Sequence, residues 1–238
     1  MAGDDYVVLG ADTRLSSGYS ILSRRVSKVC ALSSTCVMGS GGCYTDIQTL
    51  HKNLQIKSAM YKHDHACEMG SAQVAQLLST TLYGRRFFPY YAFNIVAGTF
   101  FLSFSFEYDW IIHFKLLDAI ILASFFSFYR MTELQFIGID ANGKGVVYTY
   151  DAIGSFEPKN YAAQGSGQKL IIPVLDNLVG HKNRLDVQKK RSLEDTVELV
   201  KDSFITAGER QINTGDAIEM FLITKEGIET RIFELKKD

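Results

Sequence analysis

Two changes of hydrophobic period divide this chain, and their order limits the folds open to it. Short apolar runs of strand type come first, at Tyr6 to Ala11, Tyr19 to Leu22, Lys28 to Leu32 and Thr35 to Met38. The last runs into what reads as a loop, Gly39-Ser40-Gly41-Gly42. Turn residues separate these runs, as in a sheet. The period then becomes helical. Ile47, Leu50 and Leu54 share one face, with Asp46 near the start, where a carboxylate suits the helix dipole. Ser71 to Tyr83 predicts a second helix, with Val74, Leu77, Leu78 and Leu82 on one side, and Pro89 bars any helix from continuing past it.

Strand pattern returns at Phe93 to Ala97 and Val146 to Tyr150. Asn142-Gly143 is a two-residue hairpin signal, because both turn positions need positive φ. The glycine turn Gly165-Ser166-Gly167 opens a third helix, Lys169 to Leu178. Ser192 caps a fourth, with Asp195 in capping-box spacing and Val197, Val200, Phe204 and Ile205 on its buried face. Ala217 to Thr224 and Glu229 to Leu235 close the chain as two strands. Strand blocks separated by helix pairs predict an α/β fold, with two sheets face to face and helices outside. At 238 residues the chain is long enough to bury a substantial core.

Residues 99–136 do not fit this plan. They hold nine of the 16 Phe and the only Trp, Trp110. Without them the flanking strands join as one hairpin. The expectation is a single domain over 1–238, interrupted by an apolar insert at about 99–138. Glu107, Asp109, Lys115 and Asp118 break its apolar runs, and the cleanest piece, Ala119 to Tyr129, falls well short of the ~20 residues of a spanning helix. Membrane contact is therefore the least favoured reading. A Phe-, Leu-, Ile- and Ser-rich composition is what a pyrimidine-rich transcript encodes, which points first to an intron translated in frame. The other reading is a true extension that packs against a neighbour. Loop length itself costs little, roughly 0.6 kcal/mol per doubling, but uncovered apolar residues promote aggregation.

Charge and cysteines exclude some functions. The net charge of −1 gives no reason to expect nucleic acid or an anionic membrane as partner. Lys189, Lys190 and Arg191 read as a solvated loop. Cys30, Cys36, Cys43 and Cys67 form no CxxC pair and read as reduced thiols. Met1 leads into Gly3, Asp4 and Asp5, so no secretory leader is expected. The Gly39–Gly42 stretch lacks the Lys-Ser/Thr pair of a phosphate loop. His63-Asp64-His65 has no cysteine partner at ligand spacing and reads as an exposed loop rather than a metal site. Ser166 has the wrong glycine spacing for a nucleophile elbow.

Several features then stand in a row: Ala11-Asp12-Thr13-Arg14, Lys28, the Gly39–Gly42 stretch before Asp46, Gly165-Ser166-Gly167, and Thr214-Gly215-Asp216. Together they resemble the beta-type subunits of the 20S proteasome, members of the N-terminal-nucleophile hydrolases. The resemblance runs from about Asp4 to Gly98 and from about Ile139 to Asp238, and stretches such as RRFFPYYAFN, YDAIGSFE and GERQINTGD are specific to it. It implies a four-layer α/β/β/α sandwich, here missing its first strand. In that family a leading threonine attacks the peptide carbonyl, with its own free amine as base and a lysine close by. A backbone N–H from a glycine turn stabilises the oxyanion, an effect worth about 3 kcal/mol.

Residue by residue, Asp12 falls on the family aspartate, Lys28 on the lysine and Gly42 on the oxyanion glycine. The threonine would lie before Met1. Thr13 is internal and its nitrogen is locked in an amide. The resemblance therefore implies a non-catalytic subunit with Asp12, Lys28 and Gly42 as vestigial positions, Asp12 and Lys28 forming a structural ion pair. It would wall the proteolytic chamber of a core particle in ubiquitin-dependent protein degradation, in cytoplasm and nucleus. Its partners would be other beta subunits of the same and opposing ring and the alpha-ring subunits, with no cofactor or metal. The alternatives are an active threonine-type endopeptidase, if an upstream Thr exists, or a retained-intron product that does not assemble.

Overall fold

The computed structural model describes residues 1–99, 144–181 and 190–237. The Asn142-Gly143 turn, Lys189 and, apart from Thr99, the aromatic stretch lie outside the described residues. Ten strands and four α-helices form among the described residues, as a mixed α/β fold. The strands are β1 (Val7–Asp12), β2 (Leu15–Ser17), β3 (Ser20–Ser23), β4 (Val29–Ser33), β5 (Cys36–Gly42), β6 (Ala92–Thr99), β7 (Gly145–Tyr150), β8 (Phe156–Lys159), β9 (Ala217–Thr224) and β10 (Gly227–Glu234). The helices are α1 (Tyr44–His65), α2 (Ser71–Tyr83), α3 (Gln168–Leu175) and α4 (Leu193–Gly208). All strand pairings are antiparallel. One sheet has the order β1-β9-β10, a second the order β4-β5-β6-β7-β8, and β2-β3 is a separate hairpin.

Alternation along the strands explains the packing, since successive side chains point to opposite faces. In the five-stranded sheet, Cys36, Met38, Val96, Val146 and Tyr148 join Leu50, Leu54, Val74 and Leu78 of α1 and α2 in one apolar cluster. The intervening residues Val37, Ile95, Ala97 and Val147 face the other way and meet Val7, Leu9 and Ile223 of the three-stranded sheet. That sheet's opposite face, with Val8, Ile218, Met220 and Leu222, packs on Leu175, Val197 and Val200 of α3 and α4. Burial on this scale, about 25 cal/mol per Å² of apolar surface, is what orders the helices.

Four local readings change. The glycines 39–42 are not a loop but the end of β5, in register with Ala92 to Ile95 of β6. A side chain on Gly42 (φ +134°) would place its Cβ 2.3 Å from the Tyr91 carbonyl oxygen, so only glycine carries the strand through. Ile205 is exposed, and the buried face of α4 uses Ser203 and Ala207 instead. β8 gave no sequence signal because it is a short edge strand containing Pro158. The edge of β1 is partly closed. Met1 N donates to Val8 O at 2.6 Å, Val8 N donates to Met1 O at 2.8 Å, and Ala2 bridges Val7 antiparallel. From Leu9 to Asp12 that edge has no strand partner among the described residues.

The Ser192 capping box forms as the spacing predicts. Among the described residues no helix is long and apolar enough to cross a membrane. The thiols of Cys30 and Cys36 are buried, and burial raises them to about 11 and about 12, so both stay protonated.

One polar tether crosses the helix–sheet cluster. Ser40 Oγ on β5 donates to Asn94 Oδ1 on β6 (2.7 Å) and lies 2.9 Å from His51 Nε2 on α1. Asn94 Nδ2 donates to Ala92 O, which fixes its amide. Because the serine proton goes to Asn94, Nε2 of His51 must carry a proton and donate to Ser40. Burial lowers His51 to about 4 from the usual 6.5. The unfolded chain takes up this proton near pH 6.5 and the folded chain does not. Stability should therefore fall as pH drops from about 6.5 towards 4. The difference between the native chain and His51→Gln in urea midpoint against pH measures this, and parallel pH profiles would contradict it.

Candidate functional site

A cleft of about 670 Å³ runs along the open edge of β1. Its walls are Val8 to Asp12, the Gly39–Gly42 end of β5, the turn Gln164–Gly167, and Val200 and Phe204 of α4. Asp12, Lys28 and Gly42, singled out from sequence, all line it. Asp12 ends β1, Lys28 precedes β4, and Gly42 ends β5, so the packing of one sheet on the other brings together residues far apart in the chain.

Lys28 Nζ donates to Asp12 Oδ1 at 2.8 Å. Both side chains are mostly buried, at 19% and 14% exposure. Burial raises the Asp12 carboxyl above its ordinary value, and the Lys28 ammonium pulls it back. Asp12 Oδ2 is buried without a hydrogen-bond partner. Asp46 binds the Tyr91 N–H through Oδ2 (2.9 Å), so this carboxylate pins the loop beside Gly42 besides sitting in the first turn of α1.

Four hydroxyls in or near the cleft are committed elsewhere. Thr13 Oγ1 donates to Arg24 O (2.8 Å), and its backbone N–H donates to Ala217 O. Ser16 donates to Asn213 Oδ1, Ser40 to Asn94 and Ser203 to Leu199 O. Gly165-Ser166-Gly167 forms the turn ahead of α3, with Gln168 N donating to Gly165 O. His63, Asp64 and His65 are exposed, but they form the last turn of α1 rather than the loop expected from sequence, because the helix runs on to a left-handed cap at Ala66. No cluster of three His, Cys, Asp or Glu residues suited to a metal occurs among the described residues.

Sequence reasoning missed the strongest electrostatic feature. Arg14 and Asp216 are both nearly fully buried and pair through two contacts, Nε to Oδ2 at 2.8 Å and Nη2 to Oδ1 at 3.3 Å. Arg14 Nη1 also donates to Ile212 O, and Arg24 reaches Asp216 Oδ1. Burial pushes the Asp216 carboxyl up, but hydrogen bonds from the two guanidinium groups outweigh it and hold the group below the usual carboxylate range. Asp216 adopts φ +70°. The Thr214-Gly215-Asp216 motif marks a turn, but nothing in the sequence says which arginine it meets.

Against this geometry, the comparisons are specific. The family model described as proteasome subunit matches residues 1–100 and 116–223. The chain belongs to the proteasome subunit family. The break in that match, between residues 100 and 116, falls inside the 99–136 stretch. Among its relatives, proteasome subunit beta type-1 of Oryza sativa subsp. japonica is 41% identical over 243 residues, covering 100% of this chain and 92% of the relative. The beta type-1 subunit of Drosophila melanogaster is 41% identical over 241 residues, covering 100% and 86%. A probable proteasome subunit beta type-6 of Schizosaccharomyces pombe is 32% identical over 247 residues, covering 100% and 92%.

If the Asp12–Lys28 pair is structural, removing one member leaves a mostly buried charge alone. Lys28→Met should lose roughly 2 kcal/mol of unfolding free energy, and Asp12→Asn with Lys28→Met should regain most of it. Additive losses in denaturant titrations would refute a structural pairing.

Proposed function

We propose that this chain is a non-catalytic beta-ring subunit of a 20S proteasome core particle, contributing to ring assembly and the chamber wall in ubiquitin-dependent protein degradation. The three stacked apolar clusters support reading the fold as the four-layer α/β/β/α sandwich of the N-terminal-nucleophile hydrolases. Cytoplasm and nucleus are the expected locations, and other beta subunits and the alpha ring the expected partners.

The observation that carries the assembly role is a surface strip on a member of this family. Phe87 and Phe88 are 89% and 84% exposed, beside exposed Tyr83 and Tyr91. Arg86 lies over the Tyr83 and Phe87 rings, and Arg85 over the Tyr90 ring. Aromatic residues with arginine, in a patch this exposed, are the composition of protein–protein contact surfaces. The committed hydroxyls of Thr13, Ser16, Ser40 and Ser203 support the non-catalytic reading.

One observation favours a second reading, a threonine-type endopeptidase in a longer form of the chain. Asp12, Lys28 and Gly42 line the same cleft along which the Met1–Val8 pairing would extend. Tagged full-length chain, expressed in its host and purified, tests the assembly role. Co-elution with other proteasome subunits at core-particle size, with peptides of this chain found in that fraction by mass spectrometry, is expected. Elution as a monomer or as aggregate alone would reject assembly and favour the retained-intron product. In the same fraction, peptides joining Gly98 directly to Ile139 would show the 99–136 stretch removed, and peptides from within it would show it translated.

A further inference from the structure

β10 is an outer strand of its sheet, paired with β9 on one side and with no strand on the other among the described residues. It runs eight residues, Gly227–Glu234, with no Pro and no bulge in its register against β9. Two devices that usually blunt an exposed edge are therefore missing. Leu235 N donates to Asp216 O, and bonded and non-bonded residues alternate along an antiparallel ladder. Phe233, Arg231 and Glu229 thus turn their N–H and C=O towards β9, while Ile232, Thr230 and Ile228 turn theirs outwards. The side chains alternate as well. Ile228 packs into the core between the sheets. Thr230 and Ile232 continue its face and are exposed, Ile232 at 67%. Glu229 and Arg231 lie on the face towards α4, where Arg231 Nε donates to Glu229 Oε1 (2.7 Å) and Nη1 to both carboxylate oxygens of Glu194 (2.9 Å).

The segment Ile228-Glu229-Thr230-Arg231-Ile232 is its own complement when reversed, with apolar ends, opposite charges inside them and a threonine at the centre. We propose that β10 pairs antiparallel with β10 of a second copy of this chain about a two-fold axis at Thr230, joining the two three-stranded sheets into one of six strands. The interface is isologous, so each contact occurs twice. The edge fixes the register. Outward-turned residues must meet outward-turned residues, so Thr230 exchanges both bonds with Thr230 of the second copy, and Ile228 does so with Ile232 of the second copy. Between them lie the non-bonded pairs, whose side chains come closest, and these set Glu229 of each copy opposite Arg231 of the other. Opposite-charge and threonine pairs placed directly across an antiparallel ladder are favourable, and like charges are not. Sliding the copies by two residues either way would put Arg231 against Arg231 or Glu229 against Glu229, so charge selects this register over its neighbours. Gly227 then lies opposite Phe233 and leaves room for the ring. Like charges meet only at the rim, Glu226 against Glu234.

This inference does not rest on ring assembly, and its test uses the isolated full chain. Sedimentation should show a monomer–dimer equilibrium that shifts with concentration. Thr230→Pro removes an N–H turned away from β9, a position where an edge strand tolerates proline. It should weaken the dimer about thirtyfold, the loss of two hydrogen bonds, one from each copy. Glu229→Arg and Arg231→Glu each set like charges across the axis, so each variant alone should stay monomeric where the native chain dimerises. Mixed in equal amounts, the two variants oppose unlike charges at both pairs and should form a heterodimer. In the unaltered chain, hydrogen exchange at the Ile228, Thr230 and Ile232 amides should slow as concentration rises, while the Glu229 and Arg231 amides, already bonded to β9, should not change. A monomer at every concentration, association that Thr230→Pro leaves intact, no heterodimer from the two folded variants, or concentration-independent exchange at the three outward amides would overturn the proposal. The exchange measurement needs no variant, so the proposal stays testable if a substitution disturbs folding.

Discussion

The buried pairing of Arg14 with Asp216 is the constraint on which the site depends. A carboxylate taken out of water is costly unless opposite charge and hydrogen bonds replace the lost solvation. Here Arg14 grips both carboxylate oxygens, reaches Ile212 O with its remaining arm, and Arg24 adds a second cation. The pair ties the segment just after β1 to the residue before β9 at the point where their pairing begins, with Ile218 opposite Asp12. Asp12 stands two residues from Arg14, so the pair that holds β1 against β9 also sets where Asp12 can meet Lys28. It further fixes the outer edge of β1, hence the direction of the cleft.

Polar groups in and around the cleft share this character. Lys28 is turned to Asp12, Asp46 to the Tyr91 amide, and Ser40 to Asn94 with His51 behind it. Each contact joins elements distant in sequence, and each leaves its proton or charge committed. Gly42 plays a matching part in the backbone, since its conformation lets β5 run against Tyr91 without a side chain in the way. These are the features expected of a scaffold that keeps a shape. The exposed aromatic and arginine strip after α2 is the surface we propose for contact with a neighbouring subunit.

Much of the fold was legible because the periods were clean. The Ser71–Tyr83 and Ala217–Thr224 boundaries match the structure, and the Ser192–Asp195 spacing formed its box. Asp12, Lys28 and Gly42 converge because strands of two facing sheets end at one place, which motif spacing captured. What sequence could not give were long-range polar choices. Arg14 finds a partner 202 residues away, and no local signal picks Arg14 over its neighbours. The glycines of β5 were misread because glycine ordinarily marks a turn, whereas here it permits close approach inside a strand. Ile205 was placed inward by helical period, but Ser203 and Ala207 sit there, small side chains that let α4 come close to the sheet. The Met1–Val8 pairing was invisible because two residues are too short for any strand pattern.

The central claim is that these charged and hydroxyl groups hold a shape and perform no peptide scission. Core particles containing this chain, treated with an epoxyketone that traps a leading threonine and then analysed by intact-mass spectrometry, test it most directly. The account predicts that this chain keeps its unmodified mass at every inhibitor concentration that stops peptide cleavage by the particle. A stoichiometric adduct on this chain would contradict it.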